Sequence, residues 1–534
     1  MQQLIESGFK QLRQLLTDIP AKNRFLWLES ALIERFSYHF METMREMQVM
    51  KLETVAFGKI PNDECNIIIV ARNTEIAAIS ANVRKLQAQN SQAQFHLYML
   101  PRLFENNDQL LRDLKTMDFI TAYEPIPIHF FSTYDSDVFE LFQKTQIFQG
   151  SLQTVSIYAD LLIHIQQSIG GARVITGKGQ LGTQVVKQYE RLLEERDIKQ
   201  TQSYYEQVVV IDRMVDMVSF LLTGQNYAEQ LATHLGFKNN KLDTDFIYSS
   251  FDEVFEALMH TSMLHLPDQV DQFLKSAKEK EQDMKKLQES KSKNVQAMKA
   301  AAEKMQQAIK IKESVAKHAA RAKQLLQARS FQVAEHYFLQ KDILRDKAKF
   351  DQLNDLLLNH VISQAEAFQL VLLYALFVNF KAKEIPIIKK TLVNLYGASA
   401  ELALAMFTDL NYFTPSKQFT DMIKFFQVLE LEDKPDKTKI QNCYQLINCL
   451  SVKVVENALG LLEKKTKDQI QTYEFKTELK PDMNRVLVVY VGPMTHAEAA
   501  GLELLRKNFD ELQVICSQVV DGQGLVKAAL AGEI

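Results

Sequence analysis

Short apolar runs rich in β-branched residues alternate with segments of helical period over the first 220 residues of the chain. Continuous apolar runs of this kind predict strands buried on both faces, as in a parallel sheet covered by helices. The alternation therefore predicts a doubly wound α/β arrangement. The predicted strands are RFLWLE from Arg24, CNIIIVAR from Cys65, QFHLYML from Gln94, DFITAYEPIPIHFF from Asp118, ARVITG from Ala172 and QVVVIDR from Gln207.

The pattern changes near Leu221, and almost everything from there to Glu474 has helical period. The last sixty residues then return to strand, helix and strand, as RVLVVYVG, THAEAAGLELLRKN and LQVICSQVV. Two parallel strands and one helix cannot bury both faces of a sheet by themselves. We therefore expect the C-terminal unit to complete the earlier sheet, so that one α/β domain is interrupted by a helical insertion.

Composition narrows the class of protein. The 534 residues are 46% hydrophobic and 24% charged, as expected for a globular chain of about three domains. No apolar run approaches the roughly 18 residues of a membrane span, and no signal peptide is predicted. The net charge of −4 argues against a nucleic-acid binder. Four scattered cysteines predict neither a disulfide framework nor a metal site, and favour a reducing compartment.

The glycine-rich turn GKGQLG, residues 177–182, is the one candidate for cofactor chemistry. A P-loop is excluded, because five residues instead of four separate Gly171 from Gly177 and Gly179 replaces the hydroxyl residue. A GxGxxG turn followed by Asp212 leaves two interpretations, a dinucleotide site or a structural turn from strand to helix. We predict no catalytic residue, no metal ligand and no cofactor. Thr495 and Glu498 are expected to form the capping box of a helix.

The stretch VVVIDRMVDMVSFLLTGQNYAEQLATHLGF, residues 208–237, resembles the signature of SM proteins, the Sec/Munc regulators of vesicle fusion. The family pattern of a hydrophobic strand and then DRxxDxxTPLxxxxxY is similar here, although Phe220 replaces the usual proline. VLVVYVGPMTHAEAAGLELL resembles the family's C-terminal unit, and is most similar to the endolysosomal branch, vacuolar protein sorting-associated protein 33. The signature residues carried over are Asp212, Arg213, Asp216, Leu221, Tyr227, Gly492, Thr495 and Glu498.

The resemblance implies an arch-shaped fold of three domains and no enzymatic activity. Residues 1–127 would form a first α/β domain, and residues 128–224 with 475–534 a second, discontinuous one. Residues 225–474 would form a helical domain with a protruding hairpin at about 268–340. The resemblance also implies a cytoplasmic protein that reaches late endosome, lysosome or vacuole membranes through its partners.

The hairpin carries an apolar stripe on its second helix. Its turn is predicted at ESKSKN, Glu289 to Asn294. The stripe either packs on the first helix, or leaves a shallow groove for another amphipathic helix. In SM proteins the equivalent hairpin is thought to template SNARE helices, which makes these residues a predicted SNARE site. The stripe consists of Val295, Met298, Ala302, Met305, Ile309 and Ala316.

A second predicted surface lies in LVNLYGASAELALAMF, residues 392–407. In endolysosomal relatives this part docks the α-solenoid of vacuolar protein sorting-associated protein 16 and so joins a HOPS or CORVET tether. The resemblance places Tyr396, Leu402 and Met406 on that surface. Two alternatives to an SNARE-binding regulator remain: a scaffold that docks to a tether without touching SNAREs, and a nucleotide enzyme that uses the glycine turn.

Overall fold

A computed structural model describes most of the chain, which divides into two compact units. The first is Met1–Ser132 with Phe139–Lys144, and the second is Thr133–Val138 with Thr145–Ile534. The residues described are 1–20, 24–28, 32, 51–54, 64–72, 76–103, 105–141, 152–199, 202–237, 240–242, 245–246, 252–289, 295–328, 331–359, 362–413, 442, 449–462 and 470–531.

The first unit is built on a parallel sheet of five strands in the order β2-β1-β3-β4-β5. Strand β3 is buried along its apolar run, as its uninterrupted pattern predicts. A short antiparallel pair, β6 and β7, follows. The strands are β1 (Arg24–Leu28), β2 (Lys51–Thr54), β3 (Cys65–Arg72), β4 (Ala93–Leu100), β5 (Ile120–Pro125), β6 (Phe130–Ser132) and β7 (Val138–Leu141), and the helices are α1 (Gln2–Asp18), α2 (Ile76–Gln89) and α3 (Glu105–Asp113).

The second unit contains five strands side by side in the order β12-β8-β9-β13-β15. All pairings among them are parallel except that of β12 with β8. Helix α4 (Leu152–Ser168) precedes β8 along the chain, and helix α5 (Gly179–Glu195) follows it. The strands are β8 (Gly171–Lys178), β9 (Ser203–Asp212), β12 (Thr472–Lys476), β13 (Arg485–Val491) and β15 (Glu511–Cys516).

Strand β13 lies between β9 and β15, with Val488 opposite both Val209 and Val514. A strand from the end of the chain is thus inserted beside one from the middle, and it is buried over nearly its whole length. This pairing is what a C-terminal unit too small to cover its own sheet requires. The residue boundaries of the three predicted domains stay a prediction.

Between β9 and β12 the described residues are mostly helical. Helix α12 is the most buried of these helices: its residues from Ala367 to Leu376 are all inaccessible or nearly so. A helix that is apolar on every side belongs in a core, and α12 lies in the main hydrophobic cluster of the second unit. The helices are α6 (Tyr227–Leu235), α7 (Glu253–Leu258), α8 (Leu266–Glu289), α9 (Val295–Ala328), α10 (Phe331–Leu344), α11 (Phe350–Asn359), α12 (Gln364–Phe377), α13 (Glu384–Tyr396), α14 (Ala398–Asp409) and α15 (Leu450–Ala458).

Helices α8 and α9 pack against each other as the predicted hairpin, and α9 ends at Ala328, before α10 begins. The predicted turn after Glu289 lies outside the described residues. The remaining elements are α16 (His496–Arg506) and α17 (Gly524–Ala531), with the short strand pairs β10 (Lys241–Leu242) and β11 (Asp245–Phe246), and β14 (Met494–Thr495) and β16 (Val519–Val520). Among the described helices, none combines the length and apolar character needed to cross a bilayer.

Candidate functional site

The signature residue Arg213 is completely buried, at 1% exposure, just beyond the end of β9. Its guanidinium Nη1 donates to Glu498 Oε1 at 2.6 Å, and its Nη2 donates to the Asp216 backbone oxygen at 2.7 Å. Burial would lower the pKa of Arg213, but Glu498 and Asp216 raise it above its usual value. The arginine therefore stays charged and joins the middle of the chain to the C-terminal helix α16.

Asp216 binds both the turn that follows it and a distant helix. Its Oδ1 accepts the amides of Val218 and Ser219, each at 2.9 Å. Its Oδ2 accepts the Ser219 hydroxyl at 2.5 Å and the amide of Ser451, in the first turn of α15, at 2.8 Å. Burial would raise the pKa of Asp216, but Arg213 and these hydrogen bonds lower it. The carboxylate thus fixes the start of α15 against the signature turn.

Glu498 completes the cluster from the C-terminal unit. Thr495 and Glu498 form the predicted capping box of α16, because the Thr495 hydroxyl accepts the Glu498 amide and Glu498 Oε2 accepts the Thr495 amide. Its other oxygen accepts from Arg213 and from the Ser451 hydroxyl. Burial raises the pKa of Glu498 although Arg213 lies beside it. No sequence signal pointed to Ser451, which lies 238 positions after Arg213.

Aromatic rings and a glycine close the cluster. The Phe220 ring lies 4.3 Å from the guanidinium carbon of Arg213, and the Tyr490 ring 5.6 Å. Phe220, which replaces the usual proline, thus stacks on the signature arginine. Gly492 has a φ of +133°, and a Cβ there would come within 3.0 Å of the Arg213 Cβ. Arg213, Asp216, Glu498 and Gly492 therefore form a buried structural junction.

The signature Tyr227 leads to the base of the hairpin. Its hydroxyl lies 2.9 Å from His318 Nδ1 on α9, and His318 Nε2 lies 3.0 Å from Asp252 Oδ2. Asp252 also accepts the Ser314 hydroxyl at 2.6 Å and caps α7. Burial would raise the pKa of Asp252, but His318 and Ser314 lower it to about 2. The C-terminal half of α9 is therefore fixed by polar contacts to two other helices.

The carboxyl group of Glu229, two residues after Tyr227, is buried with one oxygen unpaired among the described residues. Its Oε1 accepts the Gly522 amide at 2.8 Å, whereas its Oε2 has no hydrogen-bond partner. Gly224 is required here, since a Cβ would lie 1.7 Å from the Glu229 carboxyl carbon. Burial raises the pKa of Glu229 to about 8, and Asp521 and Glu498 add to the effect. The side chain is therefore protonated at neutral pH.

Two members of the predicted SNARE stripe, Ile309 and Ala316, have described side chains, and both lie on the side of α9 that points away from the core. Ile309 is 47% exposed and Ala316 is exposed, whereas Val315, Ala322 and Leu325 are buried. At about 100° per residue, these two sets lie on opposite sides of the helix. The side chains of the other four predicted members lie outside the described residues: Val295, Met298, Ala302 and Met305.

The predicted tether residues differ in exposure. Leu402 on α14 is 70% exposed, while Met406 is partly buried against the main core. Tyr396 is also partly buried, and its hydroxyl donates to the backbone oxygen of Ile362 at 3.0 Å. Leu395 on the neighbouring helix α13 is 42% exposed and had not been singled out from the sequence. Leu402 and Leu395 are therefore the exposed large apolar side chains of this segment.

The glycine turn has a structural explanation. Asp212 occupies the start of α5, where its Oδ2 accepts the Leu181 amide at 2.9 Å. In a dinucleotide site this helix start would receive the pyrophosphate. A Cβ on Gly177 would meet the Gly182 backbone oxygen at 2.5 Å, and one on Gly179 would meet the Asp212 Cβ at 2.6 Å. The glycines allow this close packing, and the carboxylate fills the anion position.

Asp135, His260 and Glu503 bring three ligand atoms within 4.8 Å of one another, a grouping that sequence reasoning did not find. Arg506, however, donates to both oxygens of Asp135 at 3.0 Å and pairs with Glu503. Burial would raise the pKa of Asp135, but Arg506 and His260 lower it. A guanidinium thus already neutralises these carboxylates, and the group is an ion-pair network and not a metal site.

Solved structures with the same fold are SM proteins. The chain is similar to the SM protein Vps45 in complex with the Qa SNARE Tlg2, with a TM-score of 0.65, 14% identity, and coverage of 99% of this chain and 98% of that one. It is similar to the Unc18–syntaxin 1 complex from Monosiga brevicollis, with a TM-score of 0.66, 13% identity, and coverage of 99% of both chains. It is also similar to Sly1p in complex with an N-terminal peptide of Sed5p, with a TM-score of 0.62, 13% identity, and coverage of 99% of this chain and 98% of that one.

The predicted fold class, parallel α/β sheets with a large helical part as in SM proteins, is confirmed by these likenesses. A sequence search of characterised proteins returned no match. The model of the Sec1 family matches residues 32–528, which includes both halves of the Arg213–Glu498 junction. The chain therefore belongs to the Sec1 family, the SM proteins that its DRxxD signature predicted.

Proposed function

We propose that this protein is an SM-type regulator of membrane fusion that binds SNARE helices and templates their assembly. The observation that carries the proposal is the outward stripe of α9, in which Ile309 is 47% exposed on the side opposite buried Val315. An exposed apolar row on a fixed helix suits an amphipathic helix as its partner. Structures of Vps45 with the Qa SNARE Tlg2 and of Unc18 with syntaxin 1 support SNAREs as the class of partner.

The mechanism is preorganisation. Hydrogen bonds from His318 and Ser314 to Asp252 fix the C-terminal half of α9. The stripe is therefore presented on a helix whose position is fixed before a partner binds. A SNARE helix that docks on it loses its conformational entropy before the four-helix bundle forms. The template thereby lowers the barrier to assembly without any chemical step.

Charge placed in the stripe tests the proposal. Ile309→Asp with Ala316→Asp buries a carboxylate in the helix contact, and we expect SNARE affinity to fall at least tenfold in a titration with labelled SNARE helices. Because both side chains are exposed, the thermal melt should stay unchanged. Gln324→Asp with Gln327→Asp is the matched control, since it adds the same two negative charges at exposed positions nearer the C-terminal end of α9. Unchanged affinity in the folded double variant removes the hairpin from the mechanism and favours a tether scaffold.

We also propose that the protein is the SM subunit of an endolysosomal tether of the HOPS or CORVET type, close to vacuolar protein sorting-associated protein 33. The observation in favour is the exposed pair Leu402 (70%) and Leu395 (42%) on adjacent helices α14 and α13. An α-solenoid resembling vacuolar protein sorting-associated protein 16 would dock there and bring the protein to late endosome, lysosome or vacuole membranes.

Leu402→Asp tests this docking. It should abolish co-purification with the solenoid subunit, while SNARE binding and the melting temperature stay unchanged. Glu401→Gln, at the neighbouring exposed position, is the control. Retained solenoid binding in Leu402→Asp contradicts the docking surface and with it the assignment to the endolysosomal branch.

A further inference from the structure

Strand β12 (Thr472–Lys476) lies at the edge of its sheet among the described residues. This strand pairs with β8 along one side only, and no described strand pairs with the other side. The Gly179 amide donates to the Gln471 oxygen and the Thr477 amide to the Arg173 oxygen, each at 2.9 Å. Since an antiparallel ladder bonds every second residue, the backbone N–H and C=O of Thr472, Glu474 and Lys476 point outward.

The strand is held firmly on its inner face. Side chains of a strand alternate between the two faces of the sheet, and Tyr473 and Phe475 point toward α5. The Phe475 ring lies 5.7 Å from that of Tyr189, and the Tyr473 hydroxyl donates to Glu190. Glu474 and Lys476 project from the opposite face, 44% and 65% exposed, with 2.7 Å between their charged atoms. The edge is thus an ordered template and not a fraying terminus.

An open edge binds an extended strand through its backbone, and the side chains select the partner. Here the outward positions carry one acidic and one basic residue, Glu474 and Lys476. In a twofold antiparallel arrangement with Phe475 opposite Phe475 of a second copy, each Glu474 lies opposite a Lys476. The four charges then alternate in sign along and across the strands, which is the favourable cross-strand pattern.

We propose that the β12 edge is a self-association site, at which two copies of this chain join their sheets through antiparallel β12 strands. In the same register, the outward N–H and C=O of Glu474 in each copy face those of Lys476 in the other. The two residue pairs together exchange about four backbone hydrogen bonds. The contact is short, and the dimer forms reversibly with protein concentration. The proposal is independent of SNARE or tether binding.

Charge reversal tests the register on the full chain by sedimentation equilibrium from micromolar to several hundred micromolar protein. Glu474→Lys or Lys476→Glu places like charges opposite each other, and each should weaken dimerisation about tenfold or more. The double variant with both changes restores alternation and should dimerise like the wild type. An equimolar mixture of the two single variants should form heterodimers.

Backbone pairing is tested separately by Glu474→Pro, which removes an outward N–H and leaves the bonds to β8 intact. It should abolish dimerisation with an unchanged thermal melt, whereas Glu478→Pro, outside β12, serves as control. A wild-type chain that is monomeric throughout the range overturns the proposal. The proposal is also overturned if the dimer dissociation constant is the same in the wild type and in the single charge variants. It is likewise overturned if the edge binds only an extended peptide of another protein.

Discussion

The Arg213 cluster and the outward face of α9 are opposite kinds of site. In the cluster, Arg213 and Asp216 are 1% exposed and Glu498 is fully buried, and the three are linked by hydrogen bonds. On α9, Ile309 is 47% exposed and carries no charge. The residues that identify the family are therefore buried side chains that hold the fold together. The residues proposed to act are simple apolar side chains that many surface helices carry.

The largest expected effect is on the sheet that supports the cluster. Deleting residues 480–534 removes β13 and β15, leaving the edge of β9 bare and Arg213 without Glu498. Exposed apolar strand edges promote aggregation, so we expect an aggregated or protease-sensitive product. Limited proteolysis and circular dichroism melts measure this. A truncated chain that melts cooperatively at the full-length temperature would show that the two ends of the sheet are independent.

Removing one charge from the cluster should have the next largest effect. Glu498→Ala leaves Arg213 buried beside Asp216 alone and breaks the cap of α16, which should lower the free energy of unfolding by about 3–5 kcal/mol. Urea denaturation measures the change. Glu194→Ala, at an exposed position of α5, should change it by less than about 0.5 kcal/mol. Equal costs at the two positions would contradict the structural role of the junction.

The buried Glu229 should make the free energy of unfolding depend on pH. Its pKa is raised to about 8 from a usual value of 4.5, so its contribution to stability is complete below pH 4.5 and is lost as the pH rises through 8. Glu229→Gln keeps the acceptor for Gly522 and cannot ionise. Relative to wild type, this variant should gain up to about 3 kcal/mol between pH 5 and 8 in urea denaturation. Glu194→Gln is the control, and a parallel pH profile for Glu229→Gln and wild type would contradict the assignment.

The smallest effect is expected on α9 itself. Ile309→Ala should change stability by less than about 0.5 kcal/mol, because the side chain is exposed and alanine favours a helix. Val315→Ala, six residues further and fully buried, should cost about 2 kcal/mol. Thermal and urea denaturation of the pair measure the difference. A large loss in Ile309→Ala would mean that the stripe is internal packing.

The sequence predicted the long buried strands better than their edges. Strands β3, β9 and β13 are continuous apolar runs, and they lie where that pattern placed them. Strand β12 was missed although TYEFK alternates polar and aromatic residues, which is the pattern of a strand buried on one face. The predicted strands were continuous apolar runs, and five alternating residues after a long helical segment give a weak signal for a strand that packing of Phe475 on α5 stabilises.

For the site, the signature residues were found but not their partners. Arg213 and Glu498 both belonged to recognised stretches, yet nothing in the sequence pairs positions 285 residues apart. Ser451 carries no motif, and its role depends on α15 beginning beside Asp216. The exposure of Ile309 likewise depends on which side of α9 meets the core, and an apolar stripe alone left both orientations open.

The central position of β13 also matters while the chain is being made. About 270 residues separate the end of β9 from the start of β13. At about 5–20 residues per second, the ribosome needs roughly 15 to 55 seconds to synthesise this interval. Throughout that time β9 exists without the neighbour that will cover its apolar edge, while the helices are already emerging. Nascent chains of this protein are therefore expected to engage holding chaperones until β13 has been synthesised and can cover that edge.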